Sequence, residues 1–158
     1  MASPVQAIPS TVVPLARLQG APAAPFLLPL ALERVPAGFP SPALDYLDES
    51  LDLTRQLVRN AAATFLVRAV GDSMVDAGIR SGDLLVVDRS LPPTPGAVVI
   101  AVLDGALTVK TYCLLEVGGV RRVALCAAND AYEPIVPDGD VECVCWGVVT
   151  YVIHRPGR

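Results

Sequence analysis

The chain has 158 residues, enough for one modest domain and a tail but hardly for two full domains. Hydrophobic residues make up 53% of the chain and charged residues only 18%, so we expect a folded core and no disorder of the whole chain. The net charge is −4 and no block of Lys and Arg occurs, so no direct sequence-specific binding to DNA is expected.

The first part of the chain is rich in proline. Nine of the fifteen prolines fall within the first 42 residues, and proline disfavours helix interiors and central strands. We therefore predict an extended arm that is too apolar for a free linker and lies on a surface of its own or another subunit. The apolar stretch at residues 21–32 is broken by three prolines and is too short to span a membrane. We accordingly expect no membrane partner and a cytoplasmic location.

A short helix is predicted within residues 43–60, with an irregularity near Asp52. Ser41 is a candidate N-cap, and Pro42 suits the first helical position. The leucines of "ALDYLDESL" follow helical spacing, which favours a helix over a strand in this segment.

From about Thr64 onward the sequence has the pattern of a β domain. Short apolar or alternating runs are separated by turns rich in Gly, Pro and Asp, which is typical of a compact, barrel-like fold. Asp104-Gly105 is the strongest two-residue hairpin signal in the chain. Strands are predicted at residues 64–70, 83–88, 97–103, 106–112, 120–127 and 141–154.

The register of this hairpin predicts a lysine in apolar surroundings. A two-residue loop at Asp104-Gly105 pairs Leu103 with Ala106 and, counting outward, Val99 with Lys110. Burial there would lower the pKa of the lysine and favour its neutral amine. The other residues predicted to share the face of Lys110 are Ala97, Val99, Ala101, Thr108 and Tyr112. The opposite face is predicted to be core and carries Val98, Ile100, Val102, Leu107 and Val109.

A serine placed in a bend needs a base if it is to act as a nucleophile. Ser73 lies in "VGDSMVDAGIRSGDLLVVD", residues 70–88, where a Ser-Met pair follows Gly-Asp. The one histidine, His154, lies near the C-terminus, so a neutral Lys110 is the candidate for accepting the serine proton. Alternatively, Lys110 is an ordinary solvated lysine and Ser73 only a turn former. The residues alone leave both interpretations open.

These two segments together resemble a known family. "GDSMVDAGIRSGDLLVVD" followed by "GAVVIAVLDGALTVK" is similar to the catalytic domain of the LexA/UmuD family, the self-cleaving Ser-Lys peptidases of the bacterial SOS response. The likeness also includes "AGFPSPALDYLDESLDL", "NDAYEPI" and "WGVVTYVIH". It is closer to the UmuD side of the family, because a Pro-rich arm stands where a LexA-type repressor carries a DNA-reading domain.

The resemblance implies a mainly β peptidase domain and assigns roles to three side chains. Ser73 matches the nucleophile, Lys110 the general base, and Thr108 a threonine that helps to hold the lysine. The backbone N–H of Ser73 is the expected oxyanion donor. No cofactor is implied, and the four cysteines lack the spacing of a zinc site, so we interpret them as small buried residues.

The resemblance also implies the bond that is cut. The family cleaves its own arm before a glycine, and the matching bond here is Ala37–Gly38. Pro36 favours an extended conformation at Val35, which suits a peptide laid along a cleft. The expected organisation is therefore an arm at 1–37 that is removed on self-cleavage, a linker with a short helix at 38–63, and a β-rich peptidase domain at 64–158.

Partners follow from the same resemblance. It implies a homodimer, a RecA filament on single-stranded DNA that promotes cleavage, and a UmuC-like Y-family polymerase that the trimmed dimer joins for translesion synthesis. Two rival interpretations remain at this stage. One is a Ser-Lys peptidase akin to signal peptidase that acts on separate substrates, and the other is a binding module or antirepressor that keeps the fold without proteolysis.

Overall fold

Two antiparallel sheets make up most of the regular structure in the computed structural model, which describes residues 27–31, 37–38, 47–138 and 142–157. A two-stranded sheet pairs β1 (Leu27–Ala31) with β2 (Leu47–Asp52). A six-stranded sheet has the order β3-β4-β8-β5-β6-β7. Its strands are β3 (Thr64–Arg68), β4 (Leu84–Asp88), β5 (Val98–Leu103), β6 (Ala106–Val117), β7 (Val120–Cys126) and β8 (Cys143–Ile153). The predicted mainly β fold is confirmed, while most of the Pro-rich arm lies outside the described residues.

The helix prediction for residues 43–60 is wrong over its first part. Leu47–Asp52 is strand β2, and the only α-helix among the described residues is α1 (Leu53–Leu57). The Asp52 carboxylate accepts a hydrogen bond of 3.1 Å from the N–H of Arg55 and caps α1. The cap that starts the helix is therefore Asp52, and the predicted cap Ser41 lies outside the described residues. Pairing with β1 overrides the helical spacing of the leucines, which is a weak preference.

The predicted hairpin between β5 and β6 is confirmed with its register. Leu103 pairs with Ala106, and Val99 pairs with Lys110. Asp104 has a φ of 46° and Gly105 a φ of 81°, as a two-residue hairpin turn of the primed type requires. The local sequence therefore fixes which residues lie opposite one another on these two strands.

Both faces of the hairpin are packed. The predicted core face contributes Ile100, with Val98, Val102, Leu107 and Val109 packed around it, to a cluster centred on Phe65, Leu85, Val87 and Trp146. On the other face Val99 and Ala101 form a second cluster with Leu125. Each face of β5 is therefore covered by one of these clusters, and Lys110, which pairs with Val99, is buried.

The outer edge of β6 is only partly paired. Its pairing with β7 runs from Thr111 to Val117, which leaves residues 106–110 without this neighbour. The sheet curls so that this stretch of β6 and the end of β3 line one cavity. No helix among the described residues is long and apolar enough to cross a membrane.

Candidate active site

Ser73 lies on the connection between β3 and β4, just before a single 3₁₀ turn at Val75–Ala77. Gly71 precedes it with a φ of 94°, a conformation that glycine adopts without strain. Gly78, with a φ of 75°, ends the turn. The side chain of Met74 is almost fully buried in the main core and so anchors the turn to the core. The Gly-Asp-Ser-Met sequence thus places a half-buried serine on a tight bend above the core.

Lys110 projects from β6 to this serine. Its Nζ lies 2.9 Å from Ser73 Oγ and 3.1 Å from the carbonyl oxygen of Val109. The lysine is only 7% exposed, and no carboxylate in the described part of the chain forms an ion pair with it. Removal from water lowers the pKa of Lys110 below the ordinary 10.5. The predicted desolvation of this lysine is confirmed, and the structure brings it into contact with Ser73.

A mainly apolar cavity of about 290 Å³ opens beside the serine. Ile100 and Leu107 of the hairpin form one wall, and Val67 and Val70 at the end of β3 form the other. The cavity is large enough for a few small side chains. Its lining includes Ser73, Met74, Ile79 and Thr108. Thr108 therefore lines the same cavity as the serine, but the hydrogen bonds of Lys110 go to Ser73 and Val109.

The unpaired part of β6 offers backbone groups to this cavity. Tyr112 exchanges hydrogen bonds with the β5 side, because its N–H donates to Ala97 and its carbonyl accepts from Gly96. Since hydrogen-bonding direction alternates along a strand, Leu107 and Val109 direct their N–H and C=O groups to the outer edge. An extended peptide could add to this edge as a further strand.

Ala37 and Gly38 do not lie at the cavity that contains Ser73. Both are exposed in a bend, and neither lines the cavity beside Ser73. A Cβ added at Gly38 would meet no atom within 4 Å, so this glycine lies in open space. The structure thus brings Ser73 and Lys110 together but leaves the predicted cleavage bond outside the cavity, between the paired strands β1 and β2.

Among the described residues, His154 forms its hydrogen bonds with Asp83 and Arg80 and none with the serine turn. Its Nδ1 lies 2.6 Å from Asp83 Oδ1, and its Nε2 lies 3.2 Å from a guanidinium nitrogen of Arg80. The backbone N–H of Arg80 and, to a lesser degree, the imidazole of His154 lower the pKa of Asp83. These contacts make His154 part of a polar cluster that fastens the end of β8 to the turn before β4.

Three residues of the site have no role in the sequence-based interpretation. Asp72 accepts hydrogen bonds from Asn129 and Tyr132, which lie on the segment that follows β7. The motif "NDAYEPI" marks that segment as similar to the family. The segment lies more than fifty residues after Ser73 in the chain, so sequence spacing does not predict the contact with Asp72. Only the tertiary fold brings the two segments together.

The site places a serine hydroxyl in hydrogen-bond contact with a buried lysine amine. A neutral lysine amine can accept the hydroxyl proton and increase the nucleophilicity of the oxygen towards a carbonyl carbon. This arrangement suits acyl transfer without a histidine.

Comparison with known proteins identifies the family to which the chain is similar. Residues 29–150 match the family described as Peptidase S24-like, a serine peptidase family. SamA of Salmonella typhimurium is 50% identical over 127 residues, 80% of this chain and 85% of SamA. ImpA of Escherichia coli is 44% identical over 133 residues, 82% of this chain and 86% of ImpA.

The chain is also similar to a repressor, but the match covers a smaller share of the repressor than of SamA or ImpA. The LexA repressor of Alcanivorax borkumensis is 35% identical over 123 residues, which are 78% of this chain and 57% of the repressor. The chain therefore belongs to the Peptidase S24-like family, as a UmuD-like member of its LexA/UmuD group.

Proposed function

We propose that this UmuD-type protein of SOS mutagenesis cleaves its own Ala37–Gly38 bond, with Ser73 as nucleophile and Lys110 as general base. The contact of 2.9 Å between Lys110 Nζ and Ser73 Oγ carries the proposal. The lowered pKa of Lys110 supports it, because a larger fraction of the amine is then neutral near pH 7. In that neutral state the serine hydroxyl donates its hydrogen bond to the amine and is poised to transfer the proton.

The proposed reaction is an acyl transfer in two stages. Ser73 Oγ attacks the carbonyl carbon of Ala37 while its proton passes to Lys110 Nζ. The backbone N–H of Ser73 stabilises the oxyanion of the tetrahedral intermediate. The Ala37–Gly38 C–N bond then breaks, and Lys110 returns the proton to the nitrogen of Gly38. Water, deprotonated by the same amine, hydrolyses the ester between Ala37 and Ser73 and restores the enzyme.

The cleavage segment must move before this reaction. Ala37 and Gly38 are exposed and do not line the cavity, so the described conformation is one in which the bond is not presented to Ser73. The segment that connects β1 with β2 would enter the cavity and extend along the free edge of Leu107 and Val109. A partner that binds this second conformation more tightly accelerates cleavage by raising its population.

The chemistry of the cavity supports a small residue before the cut. Its walls are mainly apolar, and its volume of about 290 Å³ limits the size of the side chain that can enter. Ala37 fits such a site, and Pro36 restricts Val35 to an extended conformation that matches the edge of β6. Gly38 has an open environment and no side chain to obstruct the approach of its backbone to the serine.

The wider role rests on family membership. We propose that a RecA filament on single-stranded DNA is the partner that favours the cleavable conformation. The trimmed chain, 38–158, then acts as a homodimer that joins a UmuC-like Y-family polymerase during translesion synthesis in the cytoplasm. The relatives SamA and ImpA support this role by their UmuD-like character.

Intact mass before and after incubation with RecA, single-stranded DNA and a nucleotide tests the proposal. Conversion of the wild type into fragments 1–37 and 38–158 is expected, and the variant Ser73→Ala should stay whole. A wild-type chain that stays intact under these conditions would contradict the proposal and favour the non-proteolytic binding module. A cut at another bond would overturn the assignment of Ala37–Gly38 alone.

A further inference from the structure

The residue before the nucleophile is held from the segment that follows β7. Asn129 Nδ2 donates a hydrogen bond of 3.0 Å to the carbonyl oxygen of Asp72, and the Tyr132 hydroxyl donates one of 2.5 Å to its carboxylate. The N–H of Ala128 donates a third bond, of 2.9 Å, to the carbonyl oxygen of Ser73. Backbone and side chain of Asp72 are thus fixed by separate donors.

The segment that supplies these donors is itself braced. Asn129 Oδ1 accepts a hydrogen bond of 3.0 Å from the N–H of Ala131, and its carbonyl accepts one of 3.1 Å from the N–H of Tyr132. Leu125 and Ile135 exchange two backbone hydrogen bonds of 2.8 and 2.9 Å, which close the segment onto β7. Asn129 is therefore held in one orientation, with its amide group directed at the serine turn.

Tyr132 binds Asp72 and lies near Lys110. Its hydroxyl binds Asp72, and its ring centre lies 6.0 Å from Lys110 Nζ. The carboxylate of Asp72 also raises the pKa of the Tyr132 hydroxyl, so the donor keeps its proton. Removal of the hydroxyl alone would release Asp72 while leaving the ring beside the lysine.

We propose that Tyr132 and Asn129 are positioning residues that act through Asp72 to hold Ser73 Oγ against Lys110. This inference rests on the proposed self-cleavage. The serine turn is a short connection with glycines at Gly71 and Gly78, whose backbones are permissive. Hydrogen bonds within the turn, such as the one of 3.3 Å from the N–H of Val75 to the carbonyl of Asp72, shape it locally. The donors of Asn129 and Tyr132 add contacts from outside the turn. A displacement of about 1 Å between reacting groups can reduce a rate by on the order of a hundredfold.

Two variants remove single donors and leave the rest of the segment intact. Tyr132→Phe loses only the hydroxyl. Asn129→Asp keeps the acceptor for Ala131 but loses the donor to Asp72. Tyr151→Phe is the matched control, because Tyr151 also donates one exposed hydrogen bond, of 3.1 Å, to the carbonyl of Gln56 and does not line the serine cavity.

The test combines the first-order rate of self-cleavage at alkaline pH with hydrogen exchange of residues 70–76. We expect Tyr132→Phe and Asn129→Asp to cleave about tenfold or more slowly and to exchange faster in 70–76. Tyr151→Phe should match the wild type in both. In an Asp72→Ala background, Tyr132→Phe should cause no additional loss of rate, because its effect passes through Asp72.

Each contrary outcome is decisive. Tyr132→Phe with the rate of the wild type would overturn the proposal, as would an equal loss of rate in the Asp72→Ala background. Faster exchange without slower cleavage would show a structural contact and no positioning role. If the wild type itself does not cleave, the proposed function fails, and the exchange of residues 70–76 still decides whether these donors hold the turn.

Discussion

Lys110 is the only lysine in the chain, so its protonation can be followed without interference from another lysine. Protein made with lysine carrying carbon-13 at the ε position should give one ε-carbon signal by nuclear magnetic resonance. The chemical shift of that signal moves as the amine loses its proton. We expect the midpoint of this titration below 10.5, because the side chain is 7% exposed and desolvation lowers its pKa.

The size of the effect on rate follows from the proton equilibrium. A lysine of ordinary pKa is neutral in roughly one molecule in a few thousand at pH 7, and each unit by which the pKa falls raises that fraction about tenfold. Self-cleavage should therefore accelerate about tenfold per pH unit below the titration midpoint and level off above it. Since the unfolded chain binds this proton more strongly, the lysine also makes the free energy of unfolding rise with pH between the lowered pKa and 10.5.

Two results would refute this reasoning. A titration midpoint at or above 10.5 would show that Lys110 is not desolvated, and a cleavage rate that levels off at a pH away from the midpoint would separate the lysine from the rate. Ser73→Ala serves as the control. It should abolish cleavage but keep the midpoint below 10.5, because the apolar neighbours of the lysine remain.

Three further predictions concern stability and reactivity. Gly147→Ala should lower the free energy of unfolding by about 1–3 kcal/mol in urea titrations, because the new Cβ would lie 2.7 Å from Val87 Cγ1; an unchanged midpoint would contradict this. The pKa of Asp83 is lowered on folding, so it stabilises the fold above its unfolded pKa and this stabilisation is lost as pH falls through the lowered value. Asp83→Asn should therefore weaken the fold at pH 7 and flatten its loss of stability in acid, whereas an unaltered pH profile would count against the Asp83 contacts. Burial and a contact with Cys113 raise the pKa of Cys126 to about 11, so at pH 8 iodoacetamide should alkylate it more slowly than a free thiol, and mass spectrometry finding equal rates would oppose that assignment.

The hairpin of β5 and β6 was accessible to sequence analysis because its information is local. Asp104-Gly105 selects the turn, and the period of two along each strand then decides the partner and the face of every residue. The burial of Lys110 follows from that register. Its contact with Ser73 does not, because it depends on the path of the chain between β3 and β4.

Other parts were not predictable for physical reasons. The segment Leu47–Asp52 has leucines at helical spacing, but pairing with β1, a long-range contact, makes it a strand. The donors Asn129 and Tyr132 lie far along the chain from Asp72, so no spacing rule reveals them. The exposed position of Ala37 reflects one conformation of a segment that the proposed reaction requires to move.

The central claim is that Ser73, with Lys110 as its base, cuts the Ala37–Gly38 bond. The most direct measurement is intact mass and N-terminal sequencing of the wild type and Lys110→Arg after parallel incubation at alkaline pH without any partner. Arginine keeps the positive charge but does not release its proton. We predict that the wild type yields a fragment starting at Gly38 and that Lys110→Arg stays whole. A Lys110→Arg chain that cleaves at the wild-type rate would contradict the account.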